Sequence, residues 1–130
     1  DYAHHPSELH ALFDAAQQMK TAGGRLICAF QPHTYTRTKA FFEDFVRELS
    51  RPDLTVLADI YAAREQNTVG ISSDDLAQRI PGAVRLPSLD AIAEYLRSIA
   101  REGDLILTVG AGELNQVAGS LTQGQVKKTV

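Results

Sequence analysis

Two stretches of this sequence concentrate groups that hold anions or move protons. Gln31-Pro32-His33-Thr34-Tyr35-Thr36-Arg37-Thr38 combines an imidazole, a phenol, hydroxyls and a guanidinium. A guanidinium near a helix N-terminus can grip a carboxylate or phosphate through two parallel hydrogen bonds, with the helix amides assisting. The alternative is a polar loop in which Thr36 or Thr38 merely caps the helix. Asp59-Ile60-Tyr61-Ala62-Ala63-Arg64-Glu65 offers Arg64 to an anion and Glu65 to an ammonium group, and an amino-acid ligand carries both. Its alternative is an exposed ion pair of little energetic weight.

Asp1-Tyr2-Ala3-His4-His5-Pro6 sets a carboxylate, a phenol and two imidazoles side by side, a composition suited to a nucleotide or a metal. Neighbouring side chains of extended chain point to opposite sides, and Pro6 biases His5 toward that geometry. A zinc site from His4, His5 and His33 also lacks the ligand patterns of known zinc centres. No metal ligand is therefore expected, and a plain polar arm is the other reading. Thr108-Val109-Gly110-Ala111-Gly112-Glu113-Leu114-Asn115 is a strand, a glycine turn and a helix start. A dinucleotide fingerprint would need a third glycine where Asn115 stands. Gly119 and Gly124 have P-loop spacing, but Gln125-Val126 replaces the required Lys-Ser/Thr pair, so the chain has no cradle for ATP phosphates. Cys28 lies in an apolar run and reads as a packed thiol.

The elements that must position these groups alternate. A helix over 7–20 places Leu9, Leu12, Phe13, Ala16 and Met19 on one face, with Pro6 in its first turn and Gly23-Gly24 at its end. Arg25 to Phe30 is a short, nearly continuous apolar run, as in a strand buried on both faces. A second helix over 38–50 carries Phe42, Phe45, Val46 and Leu49. Leu54 to Ile60 is the second strand. Ser72 and Asp75 form a capping box for a short helix through Arg79. Ala83 to Leu86 is a weak strand. Ser88 caps a helix with Leu89, Ile92, Leu96 and Ile99, and Asp104 to Val109 is the fourth strand. A last helix is expected from about Glu113 to Leu121. This alternation predicts an α/β fold, a Rossmann-like three-layer sandwich with a mainly parallel sheet. Ligands then bind beyond the carboxyl ends of the strands, where the loops Gln31–Thr38, Tyr61–Gly70 and Gly110–Asn115 lie.

The chain has 130 residues, 44% of them apolar, a net charge of −3 and one cysteine. This suits one domain with a real core and no disulfide. Nucleic-acid binding, which needs a strongly basic face, is not expected. Nor is a membrane span, since no apolar run nears the required ~20 residues. The first residues do not read as a signal peptide, so a cytoplasmic location is expected.

Asp1–Pro6, Phe30–Thr38, Asp59–Glu65 and Gly110–Glu113 occur together and in order. Together they resemble the C-terminal domain of bacterial Mur ligases, most of all those that join L-alanine to UDP-N-acetylmuramate in peptidoglycan synthesis. The resemblance covers essentially the whole chain. It implies that residues 1–130 are one domain of a three-domain enzyme, with N-terminal and central domains of the same parent chain as partners. It implies ATP and Mg2+ as cofactors of the full enzyme, neither bound by this domain alone. Asp1 would lie by the ATP ribose. Tyr2 and His4 would face the nucleotide and the reacting centre. Arg37 would stabilise the anionic substrate or the amino-acid carboxylate. His33, Tyr61, Arg64 and Glu65 would lie on the substrate side. Family members often carry a second aspartate before Asp1, a basic residue at Thr34 and aspartate at Glu113, so no second basic contact carries over at Thr34. The related ligase that attaches a whole murein peptide to the same sugar resembles the chain too, but has phenylalanine at the Tyr2 position. A non-catalytic flavodoxin-like binding module is the reading from another class.

Overall fold

The computed structural model describes residues 4–110, 114, 116, 117, 128 and 129. Helix α1 spans Pro6–Met19, with His5 as its N-cap and Pro6 in its first turn. The Glu8 carboxylate accepts the His5 amide at 3.0 Å and the His4 amide at 3.2 Å. Leu9, Phe13 and Ala16 are buried, but Met19 remains 41% exposed at the helix end. The helix stops before the glycine pair, with Lys20 already extended. Gly24 has a different task from ending the helix. A Cβ there would stand 2.4 Å from the Gly103 carbonyl oxygen, so only glycine lets these turns touch.

Strand β1, Leu26–Phe30, is buried along its whole length, as its unbroken apolar run requires. The expected single helix after it is two: α2, Tyr35–Ala40, and α3, Phe42–Leu49. They part at Phe41, which has φ −112° and ψ 27° and packs its ring 4.6 Å from that of His5. Within α2 the Thr38 hydroxyl donates to the Thr34 carbonyl at 2.7 Å, a contact that bends helices. Strand β2 is Leu54–Leu57, α4 is Ser73–Arg79, β3 is Val84–Arg85, α5 is Leu89–Ile99 and β4 is Leu105–Val109. The capping box of Ser72 and Asp75 is present. A short β5, Lys128–Thr129, pairs with β4. The last helix expected from Glu113 lies mostly outside the described residues.

Every pairing is parallel and the strand order is β3-β2-β1-β4-β5. Alternate residues of the strands point to opposite faces, and each face has its own core. Leu26, Cys28 and Phe30 meet Leu9 and Phe13 of α1, Phe45 and Leu49 of α3, and Leu76 of α4. Ile27 and Ala29 meet Ile92, Ala93 and Leu96 of α5, with Leu114 and Val117. The result is the expected three-layer α/β sandwich. Each fully buried Leu, Ile or Phe contributes about 1.5–3 kcal/mol. Burial also pushes the Cys28 thiol far above its ordinary pKa, so it is an inert packing group. Among the described residues no helix is long and apolar enough to cross a membrane.

Sheet and helices are tied at the amino end of β4. Asp104, 2% exposed, accepts from Arg25 Nε at 3.0 Å, from Arg25 Nη2 at 2.7 Å and from the Arg101 amide at 2.8 Å. Arg25 Nη2 also donates to the Ile99 carbonyl at 2.8 Å, which joins β1, α5 and β4.

Candidate functional site

Sheet order reverses beside β1, whose chain goes on to β2 on one side while β4 lies on the other. The carboxyl end of β1 is therefore where a parallel sheet opens a crevice. The Gln31 amide donates to the Val109 carbonyl at 3.0 Å, continuing the pairing with β4. Gly110, at φ 146°, presses against Gln31, and a Cβ there would stand 3.0 Å from the Gln31 carbonyl oxygen. On the other side Thr34 N donates to the Tyr61 carbonyl and Tyr61 N to the Pro32 carbonyl, both at 2.8 Å. The loops after β1 and β2 thus run as one extension of the sheet.

This extension brings His4, His33, Arg37, Tyr61 and Glu65 together. The His33 ring lies between the rings of His4, at 5.3 Å, and Tyr61, at 5.5 Å and near-parallel. Arg37 Nη1 is 3.1 Å from His33 Nδ1, which as a neutral acceptor fixes the guanidinium. Burial holds the His33 pKa below its ordinary value, and the Arg37 guanidinium pushes it the same way. His5 is turned away: its ring packs on Phe41, and its Nδ1 accepts from the Ser7 amide at 3.2 Å. Among the described residues no group of three or more His, Cys, Asp or Glu side chains is placed to hold a metal ion. Asp1 and Tyr2 lie outside the described residues, as do Ala111–Glu113 and Asn115 of the glycine turn.

Two sequence expectations about this loop are corrected. The N-cap of α2 is Thr34, not Thr36 or Thr38; its Oγ1 accepts from the Arg37 amide at 3.3 Å. Nor do the helix amides stand open to assist Arg37. Glu65 Oε1 accepts from the Tyr35 amide at 2.7 Å and the Thr36 amide at 3.2 Å, and Oε2 from the Thr36 hydroxyl at 2.5 Å. These bonds, that of the Thr36 hydroxyl foremost, lower the Glu65 pKa. Glu65 thus meets a helix end rather than open solvent. Arg64 makes no ion pair with it and points from an exposed position of the same turn.

Arg25, Arg47, Arg51, Arg79 and Arg85 each hold a carboxylate. Arg37 and Arg64 hold none among the described residues. Beside them Tyr61 is 49% exposed, a large aromatic left open to solvent. The non-glycine residues at positive φ are Thr34 at 65°, Ala63 at 51° and Arg64 at 72°, among the described residues, and all lie in these two loops. Each such conformation costs about 1 kcal/mol or more, and strain of this kind gathers where geometry serves a ligand. Sequence reading missed Thr34 as the cap that receives the Arg37 amide, and Thr36 as a donor to Glu65. Side-chain oxygens near a helix start were the available signal, but which of three threonines caps depends on the positive φ at Thr34.

The site has a pH signature. His33 is held neutral in the fold, so its contribution to stability is present above about pH 6.5, the ordinary histidine value. It is lost as pH falls through the lower folded-state value. Asp104 acts in the same direction at lower pH: burial raises its pKa, but the Arg25 and Arg101 hydrogen bonds outweigh this and leave it lowered. Melting temperature should therefore decline between pH 7 and 5, and His33→Gln should flatten that decline. An unchanged slope in His33→Gln would remove His33 from this account.

The family description "Mur ligase, glutamate ligase domain" matches residues 1–112. A UDP-N-acetylmuramate–L-alanine ligase of Agathobacter rectalis is 50% identical over 125 residues, covering 93% of this chain and 27% of that protein. The ligase of the same name from Mycolicibacterium smegmatis is 44% identical over 123 residues, covering 93% of this chain and 26% of that protein. The chain thus spans about a quarter of the length of these relatives. Among solved structures, a murein peptide ligase from Psychrobacter arcticus superimposes with a TM-score of 0.70 at 21% identity, covering 93% of this chain and 25% of that one. A domain named for a UDP-N-acetylmuramate:L-alanyl-gamma-D-glutamyl-diaminopimelate ligase from Haemophilus ducreyi gives 0.68 at 17% identity, covering 93% of this chain and 84% of that one. Those two likenesses concern the fold alone. The family match over residues 1–112, with relatives at 44% and 50% identity, decides the matter: the chain belongs to the Mur ligase family.

Proposed function

We propose that residues 1–130 are the C-terminal domain of a three-domain ligase that joins L-alanine to UDP-N-acetylmuramate with ATP, in peptidoglycan synthesis in the cytoplasm. The names of the relatives support the substrates. The observation that carries the reading is the pair Arg37 and Arg64, cations without carboxylate partners among the described residues, beside exposed Tyr61 at the carboxyl ends of β1 and β2. ATP supplies the phosphoryl group that turns the sugar's lactyl carboxylate into an acyl phosphate. Attack by an amino acid then crowds an anionic carboxylate against an anionic phosphate. Fixed cations stabilise that charge and need no reorganisation at the moment of reaction. Arg37, aimed by His33, takes the substrate anion or the amino-acid carboxylate, and Arg64 helps orient the amino acid. Tyr61 and His33 wall the substrate side. His4 faces the reacting centre, with Asp1 and Tyr2 on the nucleotide.

In this reading Mg2+ and the triphosphate fall to the central domain of the parent. This chain has no P-loop sequence, and its described residues offer no metal-ligand cluster. Residues 1–130 alone should therefore release no phosphate from ATP in the presence of UDP-N-acetylmuramate and L-alanine. Robust turnover by the isolated chain would overturn this division of labour.

A further inference from the structure

We infer that Glu65 is a positioning residue: it binds the amino end of helix α2 as an internal anion and so holds the loop after β2 against Arg37. The inference rests on the ligase reading and adds to it a residue that acts without touching substrate.

The first amides of a helix have no partner within it and attract an anion. In α2 each is already satisfied from inside the chain. The Tyr35 and Thr36 amides go to Glu65 Oε1, the Arg37 amide to Thr34 Oγ1 and the Thr38 amide to the Thr34 carbonyl at 3.3 Å. Glu65 reaches them from the turn Ala62–Glu65, closed by its own amide on the Ala62 carbonyl at 2.9 Å. That turn holds Ala63 and Arg64 at positive φ without a glycine at either position. Relaxation of the turn is opposed by the three contacts on Glu65, so releasing Glu65 frees Arg64 directly. It also frees the start of α2, one turn of which carries Arg37. Glu65 is then not the partner of the substrate ammonium. Its oxygens are engaged by two amides and the Thr36 hydroxyl.

Two measurements on the full-length protein that carries this chain test the assignment. The first is hydrogen exchange at single amides. Glu65→Ala should speed exchange at Tyr35 and Thr36 at least tenfold, with Leu26–Phe30 unchanged. The second is a double-mutant cycle on L-alanine-dependent phosphate release. Glu65→Ala should lower kcat/KM about tenfold, mainly through a higher KM for L-alanine, and Glu65→Gln, which keeps one acceptor oxygen, should recover part of it. In a background that carries both Arg37→Ala and Arg64→Ala the same substitution should cost little more, because the groups it positions are gone. Unchanged exchange at Tyr35 and Thr36 overturns the inference. So does a full Glu65→Ala penalty on top of that pair, which would mean that Glu65 meets the substrate itself. Absence of L-alanine-dependent release in the unmutated protein would strike the ligase reading, a result distinct from either.

Discussion

Arg37→Ala in the full-length protein should lower kcat/KM by ~10²–10³, the usual cost of one preorganised charge-stabilising donor. Stability should change far less. The substitution removes the hydrogen bond to His33 Nδ1 and leaves the Thr34 cap and the Glu65 contacts in place. One ordinary hydrogen bond is worth about 1 kcal/mol. Arg37→Lys keeps the charge but loses the planar fork, so it should recover only part of the rate. Melting temperature measured beside kcat/KM separates the two roles. Unfolding of Arg37→Ala would make the arginine structural, and intact activity would make it incidental.

Asp104→Ala should produce the largest loss of stability. It strips Arg25 of two charge-assisted bonds and leaves the Arg101 amide without its acceptor. Removing one partner of a buried ion pair costs about 3–5 kcal/mol. The Arg25 side chain keeps 26% exposure and its bond to the Ile99 carbonyl, so the lower end of that range, about 3 kcal/mol, applies. The melting temperature should fall by roughly 10 °C in a chain of this size. Arg79→Ala, which breaks an exposed pair with Glu43, should leave it nearly unchanged. Equal effects from the two substitutions would mean that burial does not set the weight of the Asp104 pair.

These two residues also mark where sequence reading stops. Apolar runs bounded by turn residues located the strands, because β1 and β4 are buried on both faces and are built almost wholly of apolar residues. The helices of the two faces were legible from their spacing of Leu, Ile and Phe. The strand ends then pointed to the loops with Arg37 and Arg64. The partner of Asp104 was not legible, since Arg25 stands 79 positions away and the pair exists only once β1 and β4 lie side by side. Nor was the break at Phe41, where packing against His5 overrides a helical pattern that runs straight through it. The task of Glu65 was hidden for a third reason. Its turn places Ala63 and Arg64 at positive φ, a conformation their side chains disfavour and no local rule anticipates. An acid next to an arginine reads as an exposed ion pair, yet here the acid turns to a helix and leaves the arginine without a carboxylate partner among the described residues.

The ligase reading is tested most directly by phosphate release from the full-length protein supplied with ATP, Mg2+ and UDP-N-acetylmuramate, with and without L-alanine. Release should depend on L-alanine, with one amide formed per phosphate freed, and should collapse in Arg37→Ala. No release, release that needs a murein peptide in place of L-alanine, or turnover that persists in Arg37→Ala would contradict the account.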